Sequence, residues 1–108
     1  MLASKYRLHV AADILAVFKR GRKIDNKFFA VWLYAHGRPS RATVIVSKKI
    51  DKRATARNLL KRRVREALRT VLPRLSPTAD IVVRPLIESK RLSASEIKNI
   101  IHDLFSLS

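Results

Sequence analysis

Residues 48–69 read KKIDKRATARNLLKRRVREALR, and the arrangement of the rest of the chain follows from them. Ten of these positions are Lys or Arg (48, 49, 52, 53, 57, 61, 62, 63, 65 and 69), against two acids, Asp51 and Glu66. Leu60, Val64, Ala67, Leu68 and Val71 recur at helical spacing and form one continuous apolar stripe. At about 100° per residue, Asn58, Arg62, Arg65 and Arg69 point away from that stripe. Arg57 and Lys61 run along one border and Arg63 along the other. The segment is expected to be a helix that buries a Leu/Val face in a core and holds out a fan of cations. Most charge runs are solvated faces, but those interleave both signs. Here neighbouring cations repel one another, so the face makes better sense opposite a polyanion, RNA or DNA.

Working outward, the whole chain agrees. Its 108 residues suit a single domain, 1–108, with one modest core. The 47% hydrophobic content supports a globular fold rather than a basic disordered tail. A net charge of +16 exceeds what solubility needs and points to a polyanionic partner. The absence of cysteine excludes disulfides and thiolate metal sites and fits a reducing cytoplasm. No apolar run reaches the roughly 20 residues that span a bilayer, and no signal-peptide core is present.

Upstream, Met1 to His9 is basic and polar and is expected to be extended. Val10, Ile14, Val17 and Phe18 then mark a short amphipathic helix, with Asp13 near its start and Lys19 and Arg20 in its last turn. Ala11 and Ala12 give it a poor N-terminal cap, and Gly21 can close it. A polar connection over 22–26 has room for a short strand at Lys23 and Ile24. Phe28 to Tyr34 (FFAVWLY) is apolar on both faces, hence a central strand. A turn containing Gly37 and Pro39 leads to a second strand, Ala42 to Ser47, and so short a link predicts an antiparallel pair. Thr55 is the expected cap of the basic helix, which Pro73 and Pro77 end. Downstream, Ala79 to Val83 reads as a buried strand ended by Pro85. Ser93 and Glu96 form a capping box ahead of Ile97, Ile100, Ile101, Leu104 and Phe105.

These elements give an α+β fold, an α–β sandwich in the order α-β-β-β-α-β-α. One mainly antiparallel sheet of about four strands would carry helices packed on it. The strand–basic helix–strand unit could set its flanking strands parallel, with a right-handed crossover as the default. Catalytic chemistry is hard to find. His9, His36 and His102 lie in three elements with no metal-ligand spacing. The eight acids form no evident pair for acid–base or two-metal work. Two glycines cannot build a phosphate-cradling loop. No catalytic or metal-binding residue is expected in this chain.

The run Val44-Ile45-Val46-Ser47-Lys48-Lys49, then Ala56-Arg57-Asn58-Leu59-Leu60-Lys61-Arg62, then Val64-Arg65-Glu66 resembles the signature of the bacterial ribonuclease P protein subunit. Tyr6-Arg7-Leu8, the Ala12-Asp13 to Phe18-Lys19 helix with Gly21, Asp80-Ile81-Val82-Val83 and the closing helix extend the resemblance to both ends. It implies an α–β sandwich with a left-handed crossover, against the default. It also implies an accessory subunit of a ribonucleoprotein endoribonuclease that removes the 5′ leader of precursor tRNA. The catalyst would be a large RNA using magnesium ions. The partners would be that RNA and precursor tRNA, with no membrane and no obligate protein partner, in the cytoplasm.

By the same resemblance, the RNA-binding residues are Lys48, Lys49, Lys52, Arg53, Arg57, Asn58, Lys61, Arg62 and Arg65. Leu59 departs from a position that is usually basic, and Arg63 or Arg53 would have to replace the lost contact. The leader would lie in a cleft formed by Ile14, Phe18, Trp32, Ser47 and Arg84. Ile14 stands where an aromatic is common, so stacking there is weaker or absent. Helical spacing alone puts Phe18 in the core, the resemblance puts it in the cleft, and for Trp32 the two stay open. The alternatives are a basic ribosomal protein without turnover, or a DNA-binding protein with its basic helix in a major groove. Arg62, Arg65 and Arg69 with a single Asn58 look more like phosphate binders than base readers.

Overall fold

Helices and strands alternate as α1 (Ala11–Arg20), β1 (Arg22–Asp25), β2 (Phe29–Ala35), β3 (Arg41–Val44), α2 (Ala54–Val71), β4 (Ala79–Pro85) and α3 (Ala94–Leu104). The structure is a computed structural model that describes residues 6–105. The expected extended start falls partly outside this range. Within it, Arg7 bridges to Ala42 and Leu8 is buried, its N–H donating to the Ala42 carbonyl at 2.8 Å. Leu8 is thus a core residue that the basic, polar reading of the N-terminus missed.

The sheet order is β1-β2-β4-β3. β2 pairs antiparallel with β1 and with β4, placing Trp32 beside Lys23 and Val82. β3 pairs parallel with β4, Thr43 beside Val82, as the strand–basic helix–strand unit allowed. The expected pairing of β2 with the strand after it is wrong: β4 lies between them. The reason is burial. Ala79, Ile81 and Val83 are buried on one face, and Val82 with the ion-paired Asp80 on the other, so β4 is covered on both faces. Such a strand is satisfied only inside a sheet, covered on both sides and bonded at both edges. β2 and β3 still run in opposite directions, as their short link requires.

Each face of the sheet carries its own core. On one, Phe29, Val31, Val44, Ile81 and Val83 meet Leu60, Val64, Leu68 and Val71 of α2 and Ile97 and Ile101 of α3. Burying each such side chain contributes about 1.5–3 kcal/mol, so the α2 stripe is well anchored. On the other, Val17 of α1 packs with Leu8 and Val82, with Ile14, Phe18, Trp32, Tyr34 and Ile45 half-buried around them. Val10 leaves the expected stripe. It is the extended N-cap residue of α1 and is exposed.

The helix ends explain local detail. α1 has no side-chain cap, and Gly21 closes it with its N–H on the Val17 carbonyl at 2.8 Å. Gly21 is extended (φ −78°), so its backbone angle does not demand glycine. Space does: a Cβ there would sit 2.6 Å from the Leu33 carbonyl oxygen and collide with that of Val17. α2 is not capped by Thr55, which lies inside the helix; its N-cap is Arg53, without a side-chain cap bond. Instead Asp51 Oδ1 accepts the Arg53 N–H at 3.0 Å, a side-chain turn that launches the helix at Ala54. α3 has the expected capping box, with Glu96 N–H on Ser93 Oγ and Ser93 N–H on Glu96 Oε1 at 2.9 Å. That backbone N–H holds the Glu96 carboxyl below its ordinary pKa.

Candidate nucleic-acid interface

The stripe of α2 faces the core, and its remaining surface is cationic. Asn58, Arg62 and Arg69 are exposed and Arg65 half-buried on the outward side, while Arg57, Lys61 and Arg63 are half-buried along the borders. Lys48, Lys49, Lys52 and Arg53 are exposed on the loop before the helix. The expected RNA-binding residues therefore form one continuous face running from that loop along α2.

Not all of these cations are equally available. Asp51 holds Arg53 through Nη2–Oδ2 at 3.0 Å and Lys90 at 3.2 Å. The Arg53 side chain, its N–H and Lys90 together hold the Asp51 carboxyl far below the usual carboxylate range. Arg57 Nη1 donates to the carbonyls of Asp51 and Lys52, at 2.9 and 2.8 Å, and so ties the loop to the helix. Arg63 Nη1 reaches the Leu92 carbonyl at 3.4 Å, toward the segment before α3. Both side chains named as substitutes at Leu59, Arg53 and Arg63, thus have partners within the protein. Leu59 itself is exposed.

On the opposite face of the sheet, α1 covers only part of the surface. Beside it lies a groove of about 240 Å³ lined by Trp32, Ser47 and Arg84, with Lys23, Ile45 and Ile50. Phe18 meets Trp32 edge-on, ring centroids 4.9 Å apart. Lys23 Nζ is 5.1 Å from the Trp32 ring centroid and Arg84 Cζ 5.9 Å from it, both within cation–π reach. Of the five expected cleft residues, three line the groove and Phe18 adjoins it through Trp32. Ile14 packs against the small core of Leu8, Val17 and Val82 instead and does not line the groove. Lys23 was missed as a site residue. Its only signal was a place on a short polar strand, and the pairing that sets it beside Trp32 is not local. Ser47 and Ile50 line the groove, and Lys48 and Lys49 between them begin the cationic face. The two surfaces share one loop.

His36 and His102 have structural partners. His36 Nε2 lies 2.8 Å from Asp80 Oδ1, and its Nδ1 accepts the Arg38 N–H at 3.0 Å. Nearby Ser40 is buried, with its Oγ accepting the Ala79 N–H at 3.0 Å. His102 Nε2 is 2.7 Å from Thr70 Oγ1. Among the described residues, no group of three or more acids and histidines could hold a metal ion. No described helix is long and apolar enough to cross a membrane. A cationic face beside a partly open aromatic ring is chemically suited to anions and flat apolar groups.

Comparison with known proteins gives a consistent result. The family model described as Ribonuclease P matches residues 2–107. The ribonuclease P protein component of Cyanothece sp. is 36% identical over 104 residues, covering 79% of each chain. The solved structure of the RNase P protein from Thermotoga maritima superposes with a TM-score of 0.81 at 32% identity, covering 92% of this chain and 94% of that one. That of Staphylococcus aureus also gives 0.81, at 27% identity, covering 94% and 93%.

Proposed function

The chain belongs to the bacterial ribonuclease P protein family, whose members are accessory subunits of a ribonucleoprotein endoribonuclease of tRNA processing, and on that premise we propose a role for each of its two surfaces. The cationic face of α2 and its leading loop (Lys48, Lys49, Lys52, Arg53, Arg57, Asn58, Lys61, Arg62 and Arg65) binds the catalytic RNA. The groove beside α1 receives the 5′ leader of precursor tRNA, with Phe18 and Trp32 as its aromatic platform and Ser47 and Arg84 on its wall. Ile14 supports α1 rather than contacting the leader. The observation that carries this reading is the shared loop. Ser47 lines the groove and Lys48 and Lys49 start the cationic face, so a strand leaving the groove runs directly onto cations.

Physically the division suits the substrate. A leader of variable sequence needs recognition that tolerates any base, and stacking on an aromatic side chain offers about 1–3 kcal/mol per base without reading its edge. Cations along the backbone add affinity without specificity. The cationic helix also screens repulsion between two RNAs, an effect that matters most when magnesium is scarce. Magnesium belongs to the RNA partner, and the assembly works in the cytoplasm. Family membership sets aside the ribosomal and DNA-binding alternatives.

Reconstitution with a bacterial ribonuclease P RNA tests the proposal. The protein alone should cleave nothing, and adding it to the RNA should restore precursor processing at low magnesium. Its affinity for the RNA should fall steeply with salt, as counterion release requires. Cleavage by the RNA-free protein, with contaminating nuclease excluded, or a salt-independent affinity would overturn it.

A further inference from the structure

α2 and α3 pack side by side and leave an outer groove of about 580 Å³ between them, within the range of small-ligand pockets. Its floor is apolar: buried Ala67, together with Ala94 and Leu59. Leu59 is 38% exposed and is the one large apolar side chain that α2 leaves in solvent. The walls are cationic. Arg62 rises from α2 and Lys98 from α3, both exposed. Arg69 and the acid Glu66, which also line the groove, hold each other through Nη2–Oε1 at 2.7 Å, and Arg63 reaches the Leu92 carbonyl at 3.4 Å, which leaves Arg62 and Lys98 as the prominent charges.

An aliphatic floor between two cations matches a nucleotide, whose base is flat and apolar on its face and whose phosphate is anionic. It matches a protein partner poorly, since one leucine is far less than the apolar patch that marks a protein interface. The groove is also continuous with the outward face of α2, because Arg62 lines an adjoining recess with Asn58 and Arg65.

We propose that this groove holds one unstacked nucleotide of the RNA partner, its base on Leu59 and its phosphate between Arg62 and Lys98. The inference rests on the reading of α2 as the RNA face and extends that face to α3. It also gives Leu59 a role of its own: within a run of cations it supplies the surface on which a base can lie.

The test is the affinity of the full-length protein for a ribonuclease P RNA, measured across a salt series. Lys98→Ala should weaken binding about 3- to 10-fold and reduce the slope of log affinity against log salt by about one, the signature of a lost phosphate contact. Leu59→Ser should weaken binding by a similar factor and leave the slope unchanged, because an apolar contact releases no counterion. Arg38→Ala, an exposed cation on the turn between β2 and β3, should change neither. All three positions are solvent-exposed, and circular dichroism with thermal melting confirms that each variant folds. Wild-type affinity and slope in Lys98→Ala, or wild-type affinity in Leu59→Ser, overturns the groove while leaving the α2 face intact. Salt-independent binding by the unaltered protein would remove the α2 face itself, and the groove with it.

Discussion

Arg41 grips Asp80 with two parallel hydrogen bonds, Nε to Oδ1 at 3.0 Å and Nη2 to Oδ2 at 2.8 Å, between directly paired residues of the parallel strands β3 and β4. Arg41 also reaches Asp13 of α1 at 3.4 Å, and His36 abuts the same Asp80 carboxylate. One cation thus ties the first helix to the two strands that flank α2 in sequence. Removing it in Arg41→Ala leaves a carboxylate buried with only His36 beside it. The expected cost is about 3 kcal/mol, the lower end for a broken buried pair, because Arg41 itself is partly exposed. Urea unfolding of the variant measures this, and a loss below about 1 kcal/mol would mean that water already satisfies Asp80.

The same pair predicts a pH dependence. Burial by itself would raise the Asp80 pKa, but the hydrogen bonds from Arg41 and His36 outweigh it and hold the carboxyl below its ordinary value. A carboxylate with a depressed folded pKa stabilises fully above its unfolded value, about 3.9, and that stabilisation is lost as pH falls through the folded one. The urea midpoint should therefore fall between about pH 5 and about pH 3. In Asp80→Asn the fall should be smaller, from a lower starting stability. An equal fall in both proteins would assign the acid sensitivity to other carboxylates, such as Asp51.

How much of this was legible depends on how local each signal is. The capping box of α3 and the stripe of α2 lie within a few residues of sequence, and both stand as read. The buried strand Ala79–Val83 was legible from its apolar run, but its neighbours were not. Chain proximity favoured β2 beside β3, whereas the two-faced burial of β4 required the place between them. Thr55 failed as a cap because Asp51, four residues earlier, had already organised the turn. In the candidate site, Trp32 and the cations were visible as residue types. The approach of Lys23 to Trp32 depends on strand register, and the grip of Arg57 on two loop carbonyls depends on loop shape.

Gly21 joins α1 to β2 at a distance no side chain tolerates. Gly21→Ala should force the end of α1 away from Leu33 and cost about 1–3 kcal/mol, the range for overpacking. The neighbouring Phe18–Trp32 contact should loosen as well. A shift of the Trp32 fluorescence toward solvent, alongside a lower Tm, is the expected result. Unchanged fluorescence with a lower Tm would confine the strain to the helix end.

Arg57 tests whether charge or shape matters in the leading loop. If it serves only as a cation, Arg57→Lys should behave like the native protein. Its guanidinium, however, bonds two carbonyls that a flexible ammonium holds less well. Arg57→Lys should therefore lose part of the RNA affinity that Arg57→Ala loses. Amide hydrogen exchange of the loop at Asp51 to Arg53 should rise in both variants. Full rescue of both readouts by Lys would assign Arg57 to phosphate contact alone.

The two surfaces can be separated by the length of the leader. Phe18 and Trp32 meet edge-on beside the groove; Trp32 lines it, and both rings pack against the small core under α1. Phe18→Ala removes one member of the platform and should weaken precursor binding only when the leader is long enough to reach it. Trp32→Ala should do the same more strongly, since it lines the groove and carries the Lys23 and Arg84 contacts. At about 1–3 kcal/mol for one lost stack, the loss for a leader of several nucleotides is roughly 5- to 150-fold. For a leader of one or two nucleotides it should be negligible. Arg62→Ala, on the cationic face, should instead impair assembly or magnesium dependence for both substrates alike. Equal weakening of long and short leaders by a well-folded Phe18→Ala protein would place that ring in the core, and the leader would then rest on Trp32 alone.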